Sequence, residues 1–370
     1  MSGSGWEQTR WRWLSDSSSN GLMRVLAAMQ ETGLQAPTRA AATASDVHGE
    51  QQAPSKELHI RTPLPPAIVV VVLCMEIALT LGVGFLLLLS SSVASSVMRS
   101  LLKHSAGLDT SAADGSISAS IFTLGTLCFM GWFFQVNRAT LVQKLGLFKL
   151  SSASIRIIVA FVAAEALLVS GIARLERSEL VSNHSQADRQ AIFSWENVLV
   201  SADASPSALL GTLVLAPLKE ELFFRGLVFL VVWNRLRAVP LSVPPREPTV
   251  PFATSALITN VLFAGVHLAN LRKLGSEYSL SYVLYQVGFA WHAGVFLTLR
   301  FADSQSLLEC FLLHVANNCF ALAGSKRSVV DFQDPVTRMS VLGAVALHVG
   351  GILHTRRHLT ARALEKLKAS

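Results

Sequence analysis

The feature that most constrains this chain is a series of eight long apolar stretches, most of them almost free of charge. They run over about 67–89, 117–134, 155–173, 207–233, 252–271, 281–299, 307–323 and 336–353. Each is close to the roughly 20 residues needed to cross a hydrocarbon core. Only 15% of the 370 residues are charged, whereas a soluble domain carries roughly 25%. Neither strict alternation nor even strand spacing appears. Lipid also demands that a crossing backbone satisfy its own hydrogen bonds. The expected fold class is therefore all-α: a polytopic membrane helix bundle of about eight transmembrane helices.

The rest of the chain divides around that bundle. Residues 1–62 are rich in Ser, Ala, Gln and Thr, the composition of a largely disordered arm. Met23 to Gln30 reads as a short helix. The Arg and Ser content hints at a targeting segment, against which stand Glu7, Asp16 and Glu31. Residues 63–355 form the membrane-embedded domain, with its motif core over about 205–325. Residues 356–370 are a basic tail. An even number of spans puts both termini on one side, together with Arg138, Lys144, Lys149, Arg235 and Arg237. The positive-inside rule makes that side cytosolic, with Arg272, Lys273, Lys326 and Arg327 opposing it. The loop 174–206, with the acceptor sequon Asn183-His184-Ser185, then faces away from the cytosol.

The net charge of +7 sits mainly in tails and loops, where it serves orientation and lipid headgroups. No base-reading motif or basic-aromatic stripe lies outside the spans, so nucleic acid is not an expected partner; the lipid bilayer is. Cys74, Cys128, Cys310 and Cys319 all fall in apolar stretches without a Cys-x-x-Cys spacing. They read as small buried hydrophobes rather than a disulfide or zinc framework.

Against this apolar background three polar groups stand out. The first is Lys219-Glu220-Glu221 with Arg225. The second is Phe263 with His267, and the third is His314 with Asn317-Asn318. An ionisable side chain at a helix centre costs about 2.5–3.5 kcal/mol or more unless paired or hydrated. Glu221 and Arg225 stand at i and i+4, on one helix face, and form an ion pair on that spacing. Glu220 is rotated about 100° from Glu221 and lacks a local cation on its own face, which suits it to accept a proton from water. A purely structural ion-pair network locking helices together is the competing reading.

Phe263 and His267 share one face, as do His314 and Asn318, and both imidazoles should point into the bundle. Two chemistries are open for two histidines and a glutamate converging from three spans. In one, Glu220 deprotonates a water that one histidine orients, while the other and Asn318 stabilise an oxyanion. In the other, Glu220, His267 and His314 bind zinc with an open position, although no His-Glu-x-x-His occurs. His292, His348 and His354 read as satisfied core histidines. Glu76 and Glu165 are expected to pair across helices.

Taken in order, Glu-Glu-x-x-x-Arg, Phe-x-x-x-His and His-x-x-x-Asn resemble the CAAX-protease and bacteriocin-processing family, also called ABI. Ala216-Pro217, Leu145-Gly146-Leu147 and the stretch from Gly288 to Asn318 fit as well. The resemblance covers roughly residues 120–325. It implies an intramembrane endopeptidase of the type II CAAX prenyl kind, a glutamate protease without a cofactor. Such enzymes remove the last three residues of prenylated proteins at the endoplasmic reticulum membrane. By resemblance, Glu220 activates water, Glu221 and Arg225 complete its motif, and His267, His314 and Asn318 position water and stabilise the oxyanion. Leu268-Ala269-Asn270 stand where the eukaryotic enzymes carry further histidines. His-Val-Ala-Asn-Asn is closer to the bacterial and plastid branch, whose members act in immunity, stress or protein maturation. A plastid or other organelle membrane is thus the alternative location. A non-catalytic scaffold of the same family is the alternative function, and a proton-coupled transporter a more distant one. For a substrate arriving from the cytosol, the cavity opens toward the side of Arg235 and the tail.

Overall fold

The computed structural model describes residues 66–106, 114–182, 209–238, 249–276, 278–323 and 335–369. The arm 1–62, the sequon and most of the 174–206 loop lie outside the described residues. Helix α1 is Pro66–Ala106, α2 is Asp114–Phe133, α3 is Arg138–Leu145 and α4 is Ser152–Ser182. A continuous rod follows: a π turn at Gly211–Leu215, α5 (Ala216–Glu221), a second π turn at Leu222–Val228, and α6 (Phe229–Ala238). Then come α7 (Thr249–Val266) with a 3-10 turn at His267–Lys273, α8 (Leu280–Ser304), α9 (Leu307–Ala323) and α10 (Pro335–Ala369). The described residues thus form an all-α bundle, and each expected span coincides with a helical segment. Most helices outrun the apolar stretch that announced them, because intrahelical hydrogen bonding continues where the side chains turn polar. The last one runs on through the basic tail to Ala369.

Burial is sorted by polarity, but in the sense opposite to a soluble protein. Among the described residues, four segments are long and apolar enough to cross a membrane by themselves: Val70–Ser105, Gly115–Phe133, Ser152–Leu175 and Phe252–Lys273. Only 22–28% of their most apolar windows is buried, so their Val, Leu and Ile side chains face outward, as lipid-facing surfaces do. The rod is the reverse. Every residue from Glu221 to Val232 is buried, although the rod carries Lys219, Glu220, Glu221, Arg225 and Arg235. Placing the charged helix at the centre lets Glu221, Arg225 and Arg235 meet protein partners rather than hydrocarbon.

Glu76 of α1 confirms the expected cross-helix pairing, bonding Arg235 through two nitrogens. Arg235 is therefore a buried anchor of the rod as well as a flanking cation. Glu165 departs from expectation: it is 3% exposed, yet has no ion-pair or hydrogen-bond partner among the described residues. The cysteines also divide. Cys310 is buried, Cys319 half-buried, and Cys74 and Cys128 exposed, since their helices turn those faces outward. His348 and His292 are satisfied by the Ala344 and Gly288 carbonyls, both at 2.8 Å. His354 is exposed rather than a core histidine, because six residues on it lies about 120° round α10 from His348, on a face turned outward while the next residue, Thr355, is buried.

The α8–α9 hairpin carries the third motif, and its turn is held from below. Arg300 Nε donates to Glu309 at 2.6 Å and its Nη1 to Asp303 at 2.8 Å, all three side chains buried. His358 and Arg362 of α10 reach Asp303 as well, each at 3.0 Å. The α3 helix docks against the same turn. Asn137 caps its start by accepting from the Thr140 N–H at 2.8 Å, and Gly146 ends it with φ 65°. A Cβ on Gly146 would stand 2.3 Å from the Gln305 carbonyl. That close approach and the left-handed φ both require glycine, which gives Leu145-Gly146-Leu147 its physical meaning.

Candidate active site

Two π turns bracket Glu220 and Glu221. The first follows from Pro217, which has no N–H to return to the preceding turn; the Ala216 N–H reaches back to Gly211 instead. The second closes with the Phe229 N–H on the Phe224 carbonyl. Wide turns of this kind are rare and concentrate at functional sites. Between them, α5 presents three neighbouring side chains about 100° apart: Lys219, Glu220 and Glu221.

Glu221 occupies the innermost position. Its Oε1 accepts from Arg225 Nη1 at 2.8 Å, and both side chains are fully buried. The i, i+4 pair expected from the spacing is present. Arg225 also donates from Nη2 to the Gly294 carbonyl at 3.3 Å, and its guanidinium lies 4.2 Å from the centre of the Phe263 ring. One cation thus ties the rod to α7 and α8. A desolvated cation over an aromatic face contributes about 2 kcal/mol.

The same Glu221 oxygen receives His314 Nδ1 of α9 at 2.7 Å. An ionised carboxylate only accepts, so Nδ1 carries the proton and Nε2 is turned outward. That Nε2 stands 3.8 Å from Glu220 Oε2. Glu220 keeps 27% of its side-chain surface exposed, whereas Glu221 keeps none. Two carboxylates adjacent in sequence therefore occupy different environments. One is sealed between a guanidinium and an imidazole; the other borders open space beside an imidazole nitrogen.

His267 begins the 3-10 turn that ends α7. Its Nδ1 donates to the Phe263 carbonyl at 3.0 Å, and its ring meets the Phe263 ring at 5.5 Å. His314 touches the same ring at 6.0 Å. The second motif's shared face is therefore real, and Phe263 stands between the two histidines. His267 makes no ion pair or hydrogen bond with Glu220 or Glu221. Asn318 donates to the Thr212 carbonyl at 3.3 Å, which fastens α9 to the first π turn. Among the described residues, no three His, Cys, Asp or Glu side chains are grouped as a metal site.

Several residues around these motifs were not singled out in the sequence. The Gly294 carbonyl holds Arg225, and a Cβ there would stand 2.6 Å from Asn260 Oδ1 and 3.0 Å from Phe263. Asn260 is buried and accepts from Thr298 at 3.3 Å. Gly294 carries no signal of its own among 23 glycines; Asn260, a buried amide one turn before Phe263 in an apolar helix, carries one.

Residues 203–320 match the family model described as type II CAAX prenyl endopeptidase Rce1-like. The chain carries an Rce1-like domain. The matched segment contains the rod's glutamate pair, Phe263 and His267, and the His314–Asn318 motif, consistent with membership of the CAAX-protease and bacteriocin-processing family. The Rce1-like family is a protease family, and with its apolar helices the chain is an integral membrane protein. No curated protein and no solved structure matches the chain.

Proposed function

We propose that the protein is an intramembrane endopeptidase of the CAAX prenyl protease type, with Glu220 as the base that activates water. The observation that carries this reading is the 3.8 Å separation of Glu220 Oε2 and His314 Nε2, with Nδ1 of the same ring fixed on Glu221. A water beside this pair donates one proton toward Glu220 and hydrogen-bonds the imidazole. The resulting hydroxide attacks the scissile carbonyl. His314 Nε2 accepts a hydrogen bond from that water and orients it, and His267, as an imidazolium whose Nδ1–H is held by the Phe263 carbonyl, donates from Nε2 to the negative charge that develops on the carbonyl oxygen. The proton held by Glu220 then passes to the leaving amine. Arg225 and Glu221 remain charged throughout and hold His314 in its tautomer. Asn318 supports the site by holding α9 to the rod.

In this reading no cofactor takes part. If zinc were held by Glu220, His267 and His314, His314 would ligate through Nε2, since Nδ1 is engaged by Glu221. The substrate is the C-terminal segment of a prenylated or otherwise membrane-anchored protein. The endoplasmic reticulum membrane is the proposed location, with a plastid or other organelle membrane as the alternative. The test is hydrolysis of a farnesylated CAAX peptide by the purified protein in detergent. Glu220→Gln should abolish cleavage; an unchanged rate would remove Glu220 from the role of base.

A further inference from the structure

The rod's buried guanidiniums at Arg225 and Arg235 are each matched to a carboxylate, Glu221 and Glu76. Lys219 is not. It lies one residue before Glu220, half-buried, and has no ion pair or hydrogen bond among the described residues. Its ammonium rests 5.7 Å from the centre of the Phe122 ring of α2. A cation in the middle of a membrane bundle, held only by a ring, is costly unless an anion joins it.

The direction of the side chains says where that anion would come from. On α5, Lys219 and Glu221 lie on either side of Glu220, each about 100° away. Glu221 faces α9 and His314, while Lys219 faces α2. The open carboxylate of Glu220 therefore lies between His314 on one flank and an unmatched ammonium on the other. Side chains diverging by that angle from one helix have tips on the order of 10 Å apart. Three residues of extended peptide span about the same distance.

We infer that Lys219 is a specificity-determining residue that binds the free α-carboxylate of the substrate, three residues beyond the scissile bond. This rests on the endopeptidase reading. In that arrangement the ammonium replaces the water the carboxylate loses on entering the site, and Phe122 keeps it aimed. The contact fixes how many residues lie between the chain end and the bond above Glu220. Cleavage is thereby limited to a terminal segment of set length.

The experiment compares a farnesylated peptide ending in a free carboxylate with the same peptide ending in an amide. Wild type should favour the acid at least tenfold in kcat/KM, mainly through KM. Lys219→Met should cleave both peptides at the wild-type amide rate, and Lys219→Arg should keep the preference. A Lys219→Met protein that elutes as wild type on size exclusion and retains the full acid preference overturns the inference. If wild type cleaves neither peptide, the endopeptidase reading falls, and binding decides on Lys219. Fluorescent acid and amide peptides are then titrated onto Glu220→Gln with and without Lys219→Met. A preference for acid lost with Lys219 supports the carboxylate site; equal binding of acid and amide overturns it. The same titration in nanodiscs with and without phosphatidic acid identifies a lipid phosphate as the anion, should Lys219→Met abolish only lipid retention, and that result also overturns the inference.

Discussion

His314 Nδ1 and Glu221 Oε1 meet at 2.7 Å across 93 residues of sequence, and that bond decides how the two glutamates of one motif differ. It engages Glu221 as the partner of an imidazole and a guanidinium. It also aims the other imidazole nitrogen at Glu220. The two carboxylates of the acidic pair are thus not equivalent: Glu221 is sealed between a guanidinium and an imidazole, and Glu220 is partly exposed, the role of base being the one proposed for it.

Replacing Glu220 should therefore separate activity from stability. Its side chain is partly exposed and makes no short hydrogen bond among the described residues. Glu220→Gln should stay within about 0.5 kcal/mol of wild type, as partly exposed substitutions generally do. Thermal unfolding in detergent, run beside the peptide assay, reads both quantities. A large drop in Tm would mean that Glu220 is structural.

Glu221→Ala should behave in the opposite way. It strands Arg225, which is fully buried, and removes the acceptor that orders His314. Breaking a buried pair by deleting one partner costs about 3–5 kcal/mol. Unfolding should show a loss of that order, and Glu221→Gln a smaller one, because the amide oxygen still accepts. Equal stability for wild type and Glu221→Ala would mean that this pair does not hold the bundle together.

Gly294→Ala tests the packing around Arg225. The added methyl would meet Asn260 Oδ1, Phe263 and Arg225 Nη2 at 2.6, 3.0 and 3.3 Å. Overpacking of this kind costs about 1–3 kcal/mol. Because the displaced groups support His314 and His267, peptide hydrolysis should fall as well. An alanine variant with wild-type stability and rate would show that α7 and α8 have room to separate here.

On α1 and the rod, Glu76 and Arg235 are both buried and bonded to each other. Each single alanine substitution should destabilise strongly, and the double substitution by less than the sum of the two. A double-mutant cycle measured by unfolding gives the coupling directly. Purely additive losses would mean that the two side chains act independently.

Chelation separates the water-activation and zinc readings. Treatment with EDTA or phenanthroline should leave peptide hydrolysis intact in the metal-free mechanism. Loss of activity that is restored by added zinc would transfer Glu220, His267 and His314 to a metal site.

The helices were legible because the apolar stretches are long and nearly uncharged, and only helices satisfy their backbone in lipid. The Glu221–Arg225 pair and the shared face of Phe263 and His267 were legible for a related reason: both are separations of four within one helix. Glu165 has no partner among the described residues, since a pairing between helices depends on which residue the neighbouring helix brings opposite, and no local spacing encodes that. Cys74 and Cys128 were misjudged for the same reason, since an apolar helix does not announce which face meets lipid.

The glutamate pair shows where that boundary lies. From the sequence come its expense within the membrane, its phase on the helix and the partner four residues on. Only the tertiary structure set His314 against Glu221, left Glu220 open and gave Lys219 no carboxylate among the described residues. Those outcomes depend on how α2, α8 and α9 pack around the rod, through contacts that single-helix periodicity does not carry.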